Sequence, residues 1–398
     1  LNSPSHLGDI LVSVVLIALG ILWIILQLID SKTFEKRGIE RSLLTLIFRS
    51  KRGIVAIDRI AKKREKFFRR LGTIAAYISV PLMILVFISL FFSASHILKT
   101  PDAPPGVAPL LPEGLVEIEG APSIPLVYWL VAVISLLLFH EVMHGLLARV
   151  EDIPIKSLGI FSVTFLPLGA FVEPDEEVLE KKSYMAKMRV YAAGSMGNFL
   201  GALAAGVALL VVLMVIAPLA FTAQGIIIQN VTAGSPAELA GITVNQTLLG
   251  IGAVSIESIG DFSEAVTQLK PGTEVKVHTS EGAHAVVPEE REGYTQGFIG
   301  IAVGTDVVAK PYIAGSIGEK RAFSIYSVVL EGLYWIGILN FLVGLTNLLP
   351  IILLDGGRMF ALLMERAAPR RHKNITTVIY LTLLALVFIN AGPLFGLF

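Results

Sequence analysis

Two histidines, His140 and His144, stand four residues apart with Glu141 beside the first. On a helix that spacing puts both imidazoles on one face, one turn apart, where they can reach a single metal ion. A neighbouring carboxylate can then take a proton from an attacking water, so the spacing predicts zinc-assisted hydrolysis with Glu141 as the base. The chain has no cysteine, so any metal must be held by His, Asp or Glu. A catalytic zinc takes three protein ligands and keeps one position open. Asp355 is the best third ligand after His140 and His144, because a carboxylate beside an apolar run needs a partner charge. Zinc acidifies a water and polarises a scissile carbonyl. Two amides, Asn198 and Asn347, are candidates to bind freed substrate backbone; Asn198 reads equally as an interhelical hydrogen bond. The other five histidines (His6, His96, His278, His284 and His372) receive no role, and Glu331 reads as a carboxylate that snorkels to the outer surface.

The setting of this motif is unusual for a hydrolase. The run from Ile124 through Leu138 carries no charge until Glu141. Of the 398 residues, 54% are hydrophobic and 16% charged, against about 25% charged in soluble domains. The fold class expected is mainly α, a polytopic membrane protein. A span needs about 20 mostly apolar residues, and six stretches qualify: 10–29, 71–94, 124–149, 190–217, 323–354 and 375–395. The first is flanked by Asp9 and Asp30, unlike a cleaved signal, and is read as a span.

Charge sets the orientation. Loop 31–70 is dense in lysine and arginine, including Lys62-Lys63-Arg64 and Arg69-Arg70. By the positive-inside rule it is cytosolic and lies against anionic headgroups of the bilayer. Loop 95–123 is Pro-rich and acidic with a single lysine, Lys99, and suits the outside. The third span then brings His140 and His144 toward the cytosolic side. Asp355, reached separately past Pro350, falls at the same depth, since Arg366, Arg370, Arg371 and Lys373 mark the next cytosolic turn. Residues 156–172 are apolar, β-branched and aromatic, but interrupted by Gly and Pro. They read as a β-hairpin, either dipping into the protein at membrane depth or lying on its surface. In the first case an open strand edge can pair with an extended substrate.

After Ala217 the composition changes. Residues 221–306 alternate short β-branched runs with Gly, Pro and Asn turns, with strands at 225–228 and 274–278 and a short helix over 263–269 capped by Ser263 or Asp261. The domain organisation expected is 1–123, two spans with a basic loop; 124–220, the first part of a catalytic membrane core; 221–310, an extracytosolic domain; and 311–398, the second part of the core. The net charge is zero, so no electrostatic partner class follows from the total, and nucleic acid is not expected as a partner. Two other functions remain open: a catalytically inactive scaffold that binds membrane proteins, and a metal transporter, since intramembrane His and Asp also mark ion paths.

The motifs together resemble the site-2 protease family of intramembrane zinc metalloproteases. The resemblance rests on His140-Glu141-Val142-Met143-His144 and on Asn347-Leu348-Leu349-Pro350-Ile351-Ile352-Leu353-Leu354-Asp355-Gly356, which is similar to the family's N-x2-P-x4-D-G run. Asn340 stands seven residues before Asn347, as the family's usual run has it. Ala193-Gly194-Ser195-Met196-Gly197-Asn198 resembles its small-residue segment, with Ser195 where Pro is common, and Gly169-Ala170-Phe171-Val172 its membrane-reentrant β segment. The family implies zinc held by His140, His144 and Asp355, Glu141 as base, and substrates that are single-span membrane proteins. The insert resembles a PDZ domain through Gly234-Ser235-Pro236-Ala237-Glu238-Leu239-Ala240-Gly241, departing from it at Asn245-Gln246-Thr247. Such an insert would either capture a peptide or filter substrates by the size of their outer domains.

Overall fold

The computed structural model describes residues 21–397 apart from 22, 26, 29–33, 35–37, 43–44, 52, 101, 115–117, 164–165 and 292–295. Its elements in chain order begin with β1 (Ile39–Arg41), β2 (Thr45–Ser50), α1 (Ile54–Lys63) and α2 (Glu65–Ile97). A two-residue pair, β3 (Leu111–Pro112) and β4 (Ser123–Ile124), precedes α3 (Leu126–Val150). Then come β5 (Ile155–Val163), β6 (Leu166–Pro174), α4 (Glu176–Glu180) and α5 (Tyr184–Val211), which runs on through a π turn at Val212–Ile216. The insert holds β7 (Phe221–Val231), α6 (Pro236–Leu239), β8 (Thr247–Ile251), β9 (Val254–Ser255), α7 (Ile259–Thr267), β10 (Val275–Thr279), β11 (Gly282–Val286) and β12 (Ile301–Ala309). The chain closes with α8 (Pro311–Ile317), α9 (Glu319–Thr346), α10 (Asp355–Ala367) and α11 (His372–Ala391).

The protein is mainly helical, with small sheets. Among the described residues five helices are long and apolar enough to cross a membrane: Glu65–Ile97, Leu126–Val150, Tyr184–Ala220, Glu319–Thr346 and His372–Phe395. The sixth expected span, 10–29, lies largely outside the described residues. The fifth expected span ends earlier than its hydropathy suggested. Helix α9 stops at Thr346, and residues 347–354 form an irregular turn ahead of α10. Pro350 has no N–H to continue a helix, and Gly356 N–H closes the turn on the Asn347 carbonyl at 2.7 Å. Asp355 therefore opens a new helix instead of ending a span.

The chain divides into two compact units, one made of 1–208 with 331–398 and the other Leu209–Leu330. In the first, the C-terminal half of α3 is locked in place by packing. Met143, Leu146, Leu147, Ala148 and Val150 are buried with Ile153, Ile155, Leu179, Val190, Ala193 and two residues of α1, Ile57 and Ala61. Glu151 follows α3 and is 7% exposed. It takes Arg69 Nη1 at 3.0 Å and Arg189 Nη1 at 2.8 Å, tying α2 and α5 to the end of α3. Two arginines around one buried carboxylate satisfy a charge that would otherwise be costly there.

The expected hairpin is present as β5 and β6, paired antiparallel. It belongs to a larger sheet than the sequence suggested, of order β1-β2-β5-β6. The two added strands come from the basic loop 31–70, read above as a topology signal lying against anionic headgroups. Arg49 explains part of the difference: its guanidinium meets Glu40 on β1 (2.8 Å), Ser157 on β5 (3.2 Å) and Glu173 on β6 (2.6 Å). One side chain thus crosses all four strands, and its charge is spent inside the sheet.

The second unit contains a six-stranded sheet, with order β11-β10-β8-β7-β12 and β9 beside β8. Ile226, Ile228, Ile242, Leu248, Ile251 and Val277 form the centre of its core. Helix α7 starts four residues before the expected 263. Ser258 caps it, with Asp261 returning a bond to the Ser258 N–H in a capping box.

Candidate metal centre

Helix α3 presents His140 and His144 one turn apart, and the turn after α9 delivers Asp355. Three atoms converge: His144 Nε2 lies 3.2 Å from His140 Nε2 and 3.0 Å from Asp355 Oδ2, and His140 Nε2 lies 3.3 Å from the same oxygen. With zinc–ligand bonds of about 2.0–2.1 Å, tetrahedral ligands stand about 3.3 Å apart. The triangle therefore fits three corners of a tetrahedral metal site. Among the described residues these three form the group able to hold a metal ion. The donor set points the same way, since lone pairs crowded at this spacing need a cation between them.

The rings sit close together because α5 lets them. Gly194 passes so near that an added Cβ would overlap the His140 and His144 imidazoles. Gly197 does the same against the Phe139 carbonyl. The small-residue run signalled close helix approach; what it brings close is the metal site itself. Gly194→Ala is accordingly expected to displace both rings and cut zinc bound by the purified protein at least about tenfold, with the helical content unchanged by circular dichroism. Full zinc occupancy in that variant would contradict this account of Gly194.

Glu141 is partly buried and aimed at the hairpin, where its Oε2 accepts the Val172 N–H at 2.7 Å. Residue 172 is on β6, an edge of its sheet, so this N–H points away from β5. No side-chain pattern could have announced that backbone contact. Behind the rings, His144 Nδ1 lies 2.8 Å from the Val190 carbonyl. Asn198 is wholly buried, and its Nδ2 lies 3.1 Å from His140 Nδ1. Asn347 is partly buried; its backbone carbonyl takes Gly356 N–H, and its side-chain amide makes no hydrogen bond among the described residues. Asn340 is buried and donates to Ser135 Oγ at 3.0 Å and to the Ile336 carbonyl at 2.8 Å, which fastens α9 to α3 below the site.

Membrane-length helices around a His-His-carboxylate centre define a membrane protein with a metallohydrolase-type site. A model of peptidase family M50 matches residues 128–389, most of the chain and every residue of the metal centre just described. The chain belongs to peptidase family M50, the site-2 protease family, and is a membrane metalloprotease. An uncharacterized protein of Methanocaldococcus jannaschii is similar to it, 26% identical over 378 residues that cover 92% of this chain and 89% of the relative. The His140, His144 and Asp355 centre is consistent with the zinc chemistry of that family.

Proposed function

We propose that this protein hydrolyses a peptide bond in or near the membrane-spanning segment of single-span membrane proteins. The observation that carries the reading is the triangle of His140 Nε2, His144 Nε2 and Asp355 Oδ2 at 3.0–3.3 Å, on helices long enough to cross a membrane. His140, His144 and Asp355 would hold zinc, which supplies Lewis acidity for the scissile carbonyl and for water. Glu141 takes the proton of the attacking water and passes it to the leaving amine. Val172 N–H holds one Glu141 oxygen, which fixes where the other can point.

A substrate helix hides its carbonyls in its own hydrogen bonds, so the bond to be cut must first become extended. β6 is an edge strand that runs past Glu141, and an edge strand suits pairing with an extended segment. The side-chain amide of Asn347, without a hydrogen bond among the described residues, would bind backbone freed in this way. In this reading the protein has six spans, the hairpin sheet re-enters the membrane, and the site lies near the cytosolic side, where the basic loops gather.

The insert 221–310 is read as an extracytosolic PDZ-like domain. In support, β12 is an edge strand, and beside α7 is a cavity of about 260 Å³ lined by Phe262, Val266, Arg291, Phe298, Ile299 and Ile301. A peptide or substrate ectodomain would meet the protein there. The test is cleavage of a single-span substrate by the purified protein in detergent. Cleavage is expected to stop on chelation and return with zinc. Cleavage indifferent to chelation, or native protein that binds no zinc, would overturn the reading.

A further inference from the structure

One stripe of α5 serves both imidazoles. Val190, Gly194 and Asn198 are spaced by four, so they line one face of the helix. The first supplies a carbonyl to His144, the second leaves room for both rings, and the third meets His140. A carbonyl only accepts, so His144 carries its proton on Nδ1 and turns a bare Nε2 toward Asp355.

His140 also turns Nε2 toward Asp355, at 3.3 Å. To ligate through that atom it must carry its proton on Nδ1, and the group facing Nδ1 must then accept. The group there is the Asn198 amide; with Nδ2 at 3.1 Å it would set two donors against each other. Its Oδ1 is buried with no hydrogen-bond partner. Oxygen and nitrogen of an amide exchange places by a half-turn, and their assignment follows the hydrogen bonds available. With Oδ1 toward His140, Nδ1–H gains an acceptor. The NH2 group is freed to share a carbonyl of its own helix, since each carbonyl accepts two bonds.

We infer that Asn198 is a positioning residue for the metal centre: its Oδ1 accepts from His140 Nδ1–H and so fixes the ring with Nε2 toward the ion, as the Val190 carbonyl does for His144. Asn198 thus acts through His140 and does not touch substrate. The inference rests on the proposed zinc site and names what supports it from behind.

The test is zinc affinity, measured by chelator competition on the purified full chain, together with the visible spectrum of the cobalt-loaded protein. Asn198→Ala and Asn198→Leu lack an acceptor and are expected to bind zinc about 10- to 100-fold more weakly, with a shifted cobalt spectrum. Asn198→Asp offers a carboxylate oxygen in the same place and is expected to stay within a few-fold of the native affinity. Once saturated with zinc, the variants should keep the native KM for a single-span substrate. Should the leucine variant not fold, the alanine and aspartate pair decides the matter. Native affinity in the alanine variant, or equal weakening in the aspartate variant, would overturn the inference. A raised KM at unchanged zinc affinity would return Asn198 to substrate binding. If the native protein itself bound no zinc, the proposed function would fall first, and that result is distinct from either outcome here.

Discussion

Glu141→Gln is expected to lower kcat for peptide cleavage about 100- to 10,000-fold, with zinc still bound at the native level. The factor corresponds to about 3–5 kcal/mol of barrier. Glutamine has the shape of glutamate, and its carbonyl oxygen can still accept the Val172 N–H that now reaches Oε2. What it lacks is a basic oxygen to take a proton from water and return it to the leaving amine. The ligand triangle of His140, His144 and Asp355 is untouched. Loss of a mere substrate contact would raise KM and spare kcat, so the two parameters separate the explanations. The measurement is steady-state cleavage of a single-span substrate, with metal content determined on the same preparation. A variant that keeps native kcat would remove Glu141 from the mechanism.

Asp355→Asn is expected to act one step earlier, on the metal. The change removes the negative charge from a site whose other two ligands are neutral rings. Structural zinc binding is worth about 10–16 kcal/mol over four ligands, or about 3 kcal/mol each, so affinity should fall at least about 100-fold. The native protein should also melt at a higher temperature with zinc than without it, because a ligand bound only by the folded state stabilises it. The variant should lose most of that increment. Its fold should persist, because Gly356 N–H to the Asn347 carbonyl and the packing of Met359 do not involve the carboxylate. Native zinc affinity in Asp355→Asn would exclude Asp355 as a ligand.

The two parts of the centre were unequally legible in the sequence. His140 and His144 are four apart on one helix, and spacing on a helix translates directly into direction. Asp355 is 211 residues from His144, and it was reached by asking which carboxylate lay beside an apolar run at the same depth. That argument located the residue and the break in the chain at Pro350, but not the new helix, α10, that Asp355 opens. The basic loop holds two strands that its composition did not announce. Charge density reports which side of a membrane a loop prefers, but not whether an arginine such as Arg49 is spent on cross-strand pairing. Asn198 was legible as an unusual amide, with its partner invisible until α5 and α3 were docked.

The sequence by itself determined the chemistry and the medium. Residue types and a spacing of four point to two candidate metal ligands and a candidate base, and long apolar runs require a membrane, because both follow from properties local to a few turns of chain. Only the tertiary structure decided how the site is held: the ring spacing set by Gly194, the Val172 N–H on Glu141, and the Val190 and Asn198 groups behind the imidazoles. These contacts join backbone or small residues far apart in the chain. Backbone atoms are the same at every position, and a glycine contributes only the space it leaves, so packing alone determines where they act.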